Sequence, residues 1–326
     1  MRAELARRTK DAEPPDEGAT QAYRSRLAES AAKFYHVVRD YRARDDVLQH
    51  HPEAAIAVGH LLLADQAWEP AIALYTRLIT DDEANATLLS QRGVAHLGAE
   101  QWDLGHADWL RAVGEEPALA RDAFDEFKHV NRWKEAALFG LLLMEQDPQN
   151  SLLWLEVALS VVLSEDEQAY GKFCRRVVEL AGQNPSPQAA ERAIKACLLR
   201  AGAIDLAALP GDRLARSLDE ETPEKRLLPW FWGARALLAL RSGDAESAKN
   251  FLTQPEAYHG NHLGRAMNLA ILALAQHERK HSGEERKTLD EASQLITRLK
   301  EIQNNQGDHD LLITEILLRE AESTIN

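Results

Sequence analysis

The stretch GHLLLADQAWEPAIALYTRL, residues 59–78, is matched 34 positions later by GVAHLGAEQWDLGHADWLRA, residues 93–112. Four small or aromatic positions recur at that step: Gly59 and Gly93, Trp68 and Trp102, Ala71 and Gly105, and Tyr75 and Trp109. A common step of about 34 residues is typical of tandem helix–turn–helix repeats. Such an array offers a long surface for partners, so the pattern favours binding over catalysis.

The repeat continues after these two units, and the helical pattern along the chain predicts an all-α protein. The first two repeats span 52–85 and 86–119. The step from Trp102 to Trp133 is shorter than the step from Trp68 to Trp102, which predicts that the first helix of the third repeat is about one turn short. A fourth repeat begins near Ser151.

Composition and periodicity divide the chain into five segments. Residues 1–20 are polar and are predicted to be disordered, because they offer little apolar surface to offset the entropy of ordering. Residues 21–48 carry apolar side chains at helical spacing and are predicted to form a capping helix. The remaining segments are repeats one to four (49–186), an irregular helical connector (187–228), and further repeats with a C-terminal capping helix (229–326).

Glycine and tryptophan have structural roles in this pattern. Gly93 and Gly105 are predicted to let paired helices approach closely, while Trp109 fills the space between neighbours. Six of the seven tryptophans fall on repeat positions, which predicts that they are structural. Trp230, in PWFW, fits no repeat position, so we expect it on an accessible surface.

Charge and composition exclude several functional classes. A net charge of −14 without a Lys/Arg cluster argues against nucleic-acid binding. No apolar stretch reaches the roughly 20 residues of a membrane-spanning helix, and the N-terminus has no signal-peptide core. Cys174 and Cys197 are too few for a disulfide framework and are predicted to be reduced, packed thiols. A cytoplasmic protein without membrane contact is therefore expected.

One motif could carry chemistry. His277, Glu278 and His281 fit the HExxH pattern, which places two histidines on one helix face for a zinc ion. The middle residues are Arg and Lys, and the motif ends a helix, where basic residues suit the helix dipole. A solvated helix end is therefore predicted, with a zinc metallohydrolase as a remote alternative. No phosphate-binding Gly-rich loop is present, and no metal or cofactor is expected.

The order small–aromatic–small–aromatic–Pro resembles the tetratricopeptide repeat over about 50–325. The resemblance implies a right-handed α-solenoid of antiparallel helix pairs, with a concave groove lined by first helices. It further implies a non-enzymatic scaffold that binds a protein or peptide partner in this groove. Matching positions give the candidate groove residues Ile56, His60, Leu63, Ser90, Val94, Leu97, Leu152, Leu155, Leu159 and Val162, to which the unplaced Trp230 is added.

The candidate groove is strongly apolar. The Lys and Asn residues with which family members clamp a chaperone's C-terminal carboxylate are not at these positions, so that mode of binding is not expected. Large exposed apolar patches are rare in monomers. The groove is therefore predicted either to hold an amphipathic helix or to be covered by residues 21–48.

A narrower resemblance concerns residues 193–209, 272–296 and 311–324. These stretches resemble the C-terminal helical-repeat region of planctomycete-type serine/threonine protein kinases. The sequence has no kinase Gly-rich loop, HRD loop or DFG triplet. The resemblance implies, as an alternative to a free scaffold, a regulatory or targeting region in a kinase system.

Overall fold

The computed structural model describes residues 52–81, 85–221, 223–279, 283–303 and 309–325, and every regular element in these ranges is a helix. The all-α prediction is confirmed there. The predicted disordered segment 1–20 and capping helix 21–48 lie outside the described residues. The chain divides into two compact units, the first ending at Pro117 and the second running from Ala118 to Asn326.

The described part of the first unit consists of two helix pairs. Its helices are α1 (Pro52–Ala64), α2 (Trp68–Asp81), α3 (Ala86–Gly98) and α4 (Trp102–Glu115). Each pair is closed by a short turn, and α2 stacks on α3. The side chain of Asn85 caps α3 by accepting a hydrogen bond of 2.9 Å from the Leu88 amide, which satisfies a free donor at the helix start.

The two pairs are held by the same glycine–aromatic contact. A Cβ placed on Gly93 would lie 2.8 Å from Cδ1 of Trp109, whose side chain is buried. Gly59 bears the same relation to Tyr75, one repeat earlier. The predicted close approach at Gly93 is thereby confirmed, because only a residue without a side chain leaves room for the ring.

The repeat period is also visible in the turns between paired helices. Gln66, Glu100, Asn131 and Glu165 each adopt a left-handed conformation, with φ between 58° and 60°. The number of residues from one of these turns to the next is the same in the first and last intervals. The middle interval, from Glu100 to Asn131, is shorter by about one helical turn. The short step coincides with a first helix of 10 residues in the third repeat, against 13 residues in the second. The predicted loss of one turn is confirmed.

These left-handed turns give a stability prediction. Glycine tolerates a left-handed conformation without the steric cost of a side chain, although it loses more entropy on folding. We expect Glu100→Gly to raise the free energy of unfolding by about 0.5 kcal/mol, measured by urea denaturation. Ala107→Gly, at an exposed position in the middle of α4, should instead lower it by about 1 kcal/mol. An equal decrease in the free energy of unfolding in both variants would contradict a left-handed conformation at Glu100.

The second unit contains eleven α-helices among its described residues. They are α5 (Ala120–His129), α6 (Trp133–Gln146), α7 (Ser151–Leu163), α8 (Glu167–Ala181), α9 (Pro187–Leu198), α10 (Gly211–Asp219), α11 (Leu228–Arg241), α12 (Ala245–Leu252), α13 (His262–Glu278), α14 (Glu284–Gln303) and α15 (His309–Ile325). Helices α7, α9, α11 and α13 pack on one another in that order. We call the surface formed by these four helices the first-helix face.

The segment 187–228 contributes to this stack through α9, which packs between α7 and α11. The part that follows α9 is irregular, with short 3-10 turns at Leu206–Ala208 and Lys225–Leu227 on either side of α10. A first helix of ordinary length is thus followed by a shortened second helix. The division into 49–186, 187–228 and 229–326 stays a prediction.

Candidate partner-binding surface

The groove residues predicted in the first unit differ in accessibility. Ile56, Leu63 and Val94 are half-buried, and His60 is exposed. Ser90 and Leu97 are buried, and a Cβ on Gly105 would lie 2.8 Å from the Leu97 side chain. Leu97 therefore packs against the partner helix α4. Among the residues predicted in this unit, the three half-buried apolar residues and His60 keep accessible surface, and their role in binding stays a prediction.

The groove residues predicted in the second unit lie on α7, and most of them are covered. Leu155, Leu159 and Val162 are each no more than 3% exposed, whereas Leu152 is 37% exposed. These three residues are therefore covered in the folded chain, and the predicted cover, residues 21–48, lies outside the described residues. Their role in binding stays a prediction, and it depends on what covers this surface.

One helix that packs on this surface is the chain's own last helix, α15. It packs against α7, α13 and α14, and it forms ion pairs with residues of α9 and α11. Its buried side chains are mainly apolar: Leu311, Ile313, Thr314, Leu317, Leu318 and Ala321. The first-helix face of the second unit thus already holds a 17-residue helix.

One end of α15 meets a buried ionic cluster. Lys195 of α9 lies with its Nζ 2.7 Å from Oε1 of Glu191 and 3.6 Å from Oδ1 of Asp310, the second residue of α15. The same ammonium group lies 4.4 Å from the ring centroid of Trp230. Burial alone would lower the pKa of Lys195, but the two carboxylates outweigh it and raise this pKa, which keeps the amine charged.

Trp230 is a part of this cluster and is not on an accessible surface. Its side chain is buried, at 9% exposure, with Lys195 over its ring. The prediction that Trp230 is accessible is therefore wrong. Its ring instead makes a cation–π contact with the buried ammonium group of Lys195, which the repeat pattern does not reveal.

The other end of α15 is held by a bidentate ion pair. Nη2 of Arg241 lies 2.6 Å from Oε2 of Glu320, and Nη1 binds the other carboxylate oxygen. Nε of Arg241 donates a 3.2 Å hydrogen bond to the carbonyl oxygen of Leu198, at the end of α9. The guanidinium group therefore joins α9, α11 and α15, a geometry that a lysine could not reproduce.

The motifs considered for chemistry form no site in the described residues. His277 is half-buried and Glu278 exposed at the end of α13, while His281 lies outside the described residues. Within the described ranges, no group of three His, Cys, Asp or Glu side chains could hold a metal ion. Cys174 and Cys197 are packed as predicted, and their mutual contact, together with burial, raises the pKa of the Cys197 thiol. In the same part of the chain, no helix is both long and apolar enough to cross a membrane.

Comparisons with known proteins add a distant structural likeness. No family model and no curated protein matches the chain. Among solved structures, the chain is similar to a tetratricopeptide repeat protein from Parabacteroides merdae, at 10% sequence identity and a TM-score of 0.40. The match covers 84% of this chain and 98% of that one. The repeat architecture therefore rests on this chain's own helix pairs, glycine–aromatic contacts and left-handed turns.

Proposed function

We propose that this chain is a non-enzymatic scaffold that binds a helical segment of a protein partner on the first-helix face of the second unit. The observation that carries the proposal is the position of α15. This helix buries its apolar side chains against the face and places Asp310 and Glu320 next to Lys195 and Arg241. A surface that orders one amphipathic helix has the shape and charges to order another of the same pattern.

A partner helix must displace α15 from the first-helix face. The concentration of partner that this requires can be estimated from the effective concentration of the tethered α15. A segment tethered by a short linker is present at an effective concentration on the order of 1 mM. A free helix of equal intrinsic affinity would therefore need roughly that concentration to occupy half of the sites. Binding at lower concentrations requires either a tighter partner or an event that weakens the hold on α15.

Cutting the connection to α15 tests the proposal on the complete chain. Residues 304–308, NNQGD, can be replaced by a protease recognition sequence of similar length. After cleavage, we expect a fluorescein-labelled peptide 309–325 to enter the protein saturably, at one peptide per chain, with a rise in fluorescence polarisation. After cleavage, α15 is no longer held near the first-helix face by the chain. The labelled peptide then competes with a free helix of the same sequence and the same intrinsic affinity.

The control is the same peptide carrying Leu317→Asp, which places a carboxylate at a buried position and should not enter. Circular dichroism before and after cleavage reports whether the remaining helices stay folded. A resident helix that does not exchange with a large excess of labelled peptide would show that α15 is a permanent layer of the fold. That result would contradict the proposal.

A second proposal is a regulatory role beside a serine/threonine kinase. It is supported by the sequence resemblance at 193–209, 272–296 and 311–324, the last of which falls within α15. In that case the partner helix would belong to a kinase encoded near this chain. A neighbouring kinase whose product does not co-purify with this chain would contradict this second role while leaving the scaffold proposal intact.

A further inference from the structure

Two buried cations on the first-helix face mark where a bound helix must carry negative charge. Lys195 and Arg241 have side chains only 3% and 8% exposed, and each contacts a carboxylate of α15. The chain as a whole carries a net charge of −14, so an acidic helix gains no general attraction from it. A third ion pair of α15, between Glu315 and Lys300 of α14, has an exposed lysine. Recognition of carboxylates by buried cations is therefore local to Lys195 and Arg241.

Both cations are held in place by groups that do not belong to α15. Lys195 is fixed by Glu191, one turn earlier on α9, and by the ring of Trp230 on α11. Arg241 is fixed through its Nε by the carbonyl oxygen of Leu198. These contacts remain when α15 leaves, so the two cations are preorganised for an incoming carboxylate.

The two contacts differ in strength. Arg241 binds Glu320 through two parallel hydrogen bonds, the strongest arrangement for a guanidinium and a carboxylate. Lys195 lies 3.6 Å from Asp310 and already has Glu191 as a closer partner. Losing the Glu320 carboxylate should therefore weaken binding more than losing that of Asp310.

The distance between the two cations imposes a spacing on the ligand. Asp310 and Glu320 are ten positions apart in the sequence, which is about 15 Å along a helix. The buried apolar side chains of Ile313 and Leu317 lie between them. A helix shifted by one turn would lose at least one of the two ion pairs, so the charges fix the register of the apolar contacts.

We propose that the first-helix face selects partner helices that carry two carboxylates ten positions apart on either side of an apolar stripe, read by Lys195 and Arg241. This inference rests on the proposed scaffold function and adds the chemical class of its partner. The partner is an acidic amphipathic helix from another protein, and α15 occupies its site in the folded chain. The stronger contact, with Arg241, lies toward the C-terminal end of the bound helix.

The experiment compares peptides 309–325 in competition for the cleaved full chain. We expect Glu320→Gln to weaken binding about tenfold, because it removes the charge-assisted pair with Arg241. Asp310→Asn should weaken binding less, by about threefold, because Lys195 keeps Glu191. Glu322→Gln removes the same charge from a residue of α15 that forms neither of these two ion pairs, and it should leave binding unchanged.

A charge reversal provides a test from the protein side. The Arg241→Glu chain should bind the Glu320→Arg peptide better than the unaltered peptide, provided that circular dichroism shows an intact fold. Peptides that all bind equally would contradict the two-carboxylate rule while leaving helix binding in place. Failure of every peptide, the unaltered one included, would contradict the scaffold function itself. If the Arg241→Glu chain misfolds, the three peptide variants still test the two-carboxylate rule, because they are measured with the unaltered protein.

Discussion

Gly93→Val is expected to lower the free energy of unfolding by about 3 kcal/mol, among the largest effects of any single substitution in the first unit. The new side chain would start 2.8 Å from Cδ1 and 2.9 Å from Nε1 of Trp109. Both distances are too short for van der Waals contact. Either the indole ring leaves its buried position or α3 and α4 separate, and each response gives up buried apolar surface.

Gly114→Val is the matched control, because it makes the same change in α4. A Cβ on Gly114 meets no atom within 4 Å. Valine is a slightly better helix former than glycine, so the midpoint of urea unfolding should stay the same or rise a little. The comparison separates the steric effect at Gly93 from the effect of valine on helix propensity.

A double-mutant cycle identifies the contact responsible. In a Trp109→Ala background, the valine at position 93 has room, so Gly93→Val should cost much less than in the unaltered chain. A coupling free energy of about 2 kcal/mol is expected between the two sites. Costs that are equal in the two backgrounds would show that Trp109 is not the obstacle and would contradict this packing of α3 on α4.

The pairing of helices could be predicted from the sequence because its determinants are local. Gly93 and Trp109 belong to the same repeat and recur with their neighbours at a constant step. The left-handed turns follow the same step, and the contraction between Trp102 and Trp133 was sufficient to predict a short α5. Each of these features involves residues within one repeat or in successive repeats, where spacing along the chain determines the local structure.

The position of α15 could not be predicted in this way, because it depends on contacts between distant parts of the sequence. Lys195 and Asp310 lie several repeats apart, and nothing in the repeat pattern relates them. Two local signals were nevertheless present. Helix α7, SLLWLEVALSVVL, is apolar on nearly all sides, which indicates burial on all sides and not an open groove. Glu191 and Lys195 also lie four positions apart in the sequence, the spacing at which opposite charges pair on a helix.

Leu317→Asp in the full chain is expected to release α15 from the first-helix face. The Leu317 side chain is completely buried, and removing it costs about 2–5 kcal/mol even without the added charge. A carboxylate at this position faces apolar surroundings and adds a further penalty. The penalty falls at the middle of the buried stripe of α15, where it also disturbs the neighbouring apolar contacts, so the helix should detach while α7, α9, α11 and α13 stay packed on one another.

Three measurements should report this release. The variant should bind a hydrophobic dye that the unaltered chain does not, because the apolar surface that α15 covers on α7 and α13 becomes exposed. Limited proteolysis should cut near 304–308 sooner. The loss of helical signal in far-ultraviolet circular dichroism should correspond to no more than the 17 residues of α15.

Ser323→Asp supplies the matched control, since it places the same carboxylate on the exposed side of α15. It should change none of the three measurements, because an exposed charge near the helix end costs only about 0.5 kcal/mol. The labelled peptide 309–325 should enter the Leu317→Asp chain without any cleavage, since the first-helix face is then vacant. Loss of helix well beyond the length of α15 would mean that the second unit unfolds without it, and this helix would then be an integral part of the fold and not a replaceable ligand.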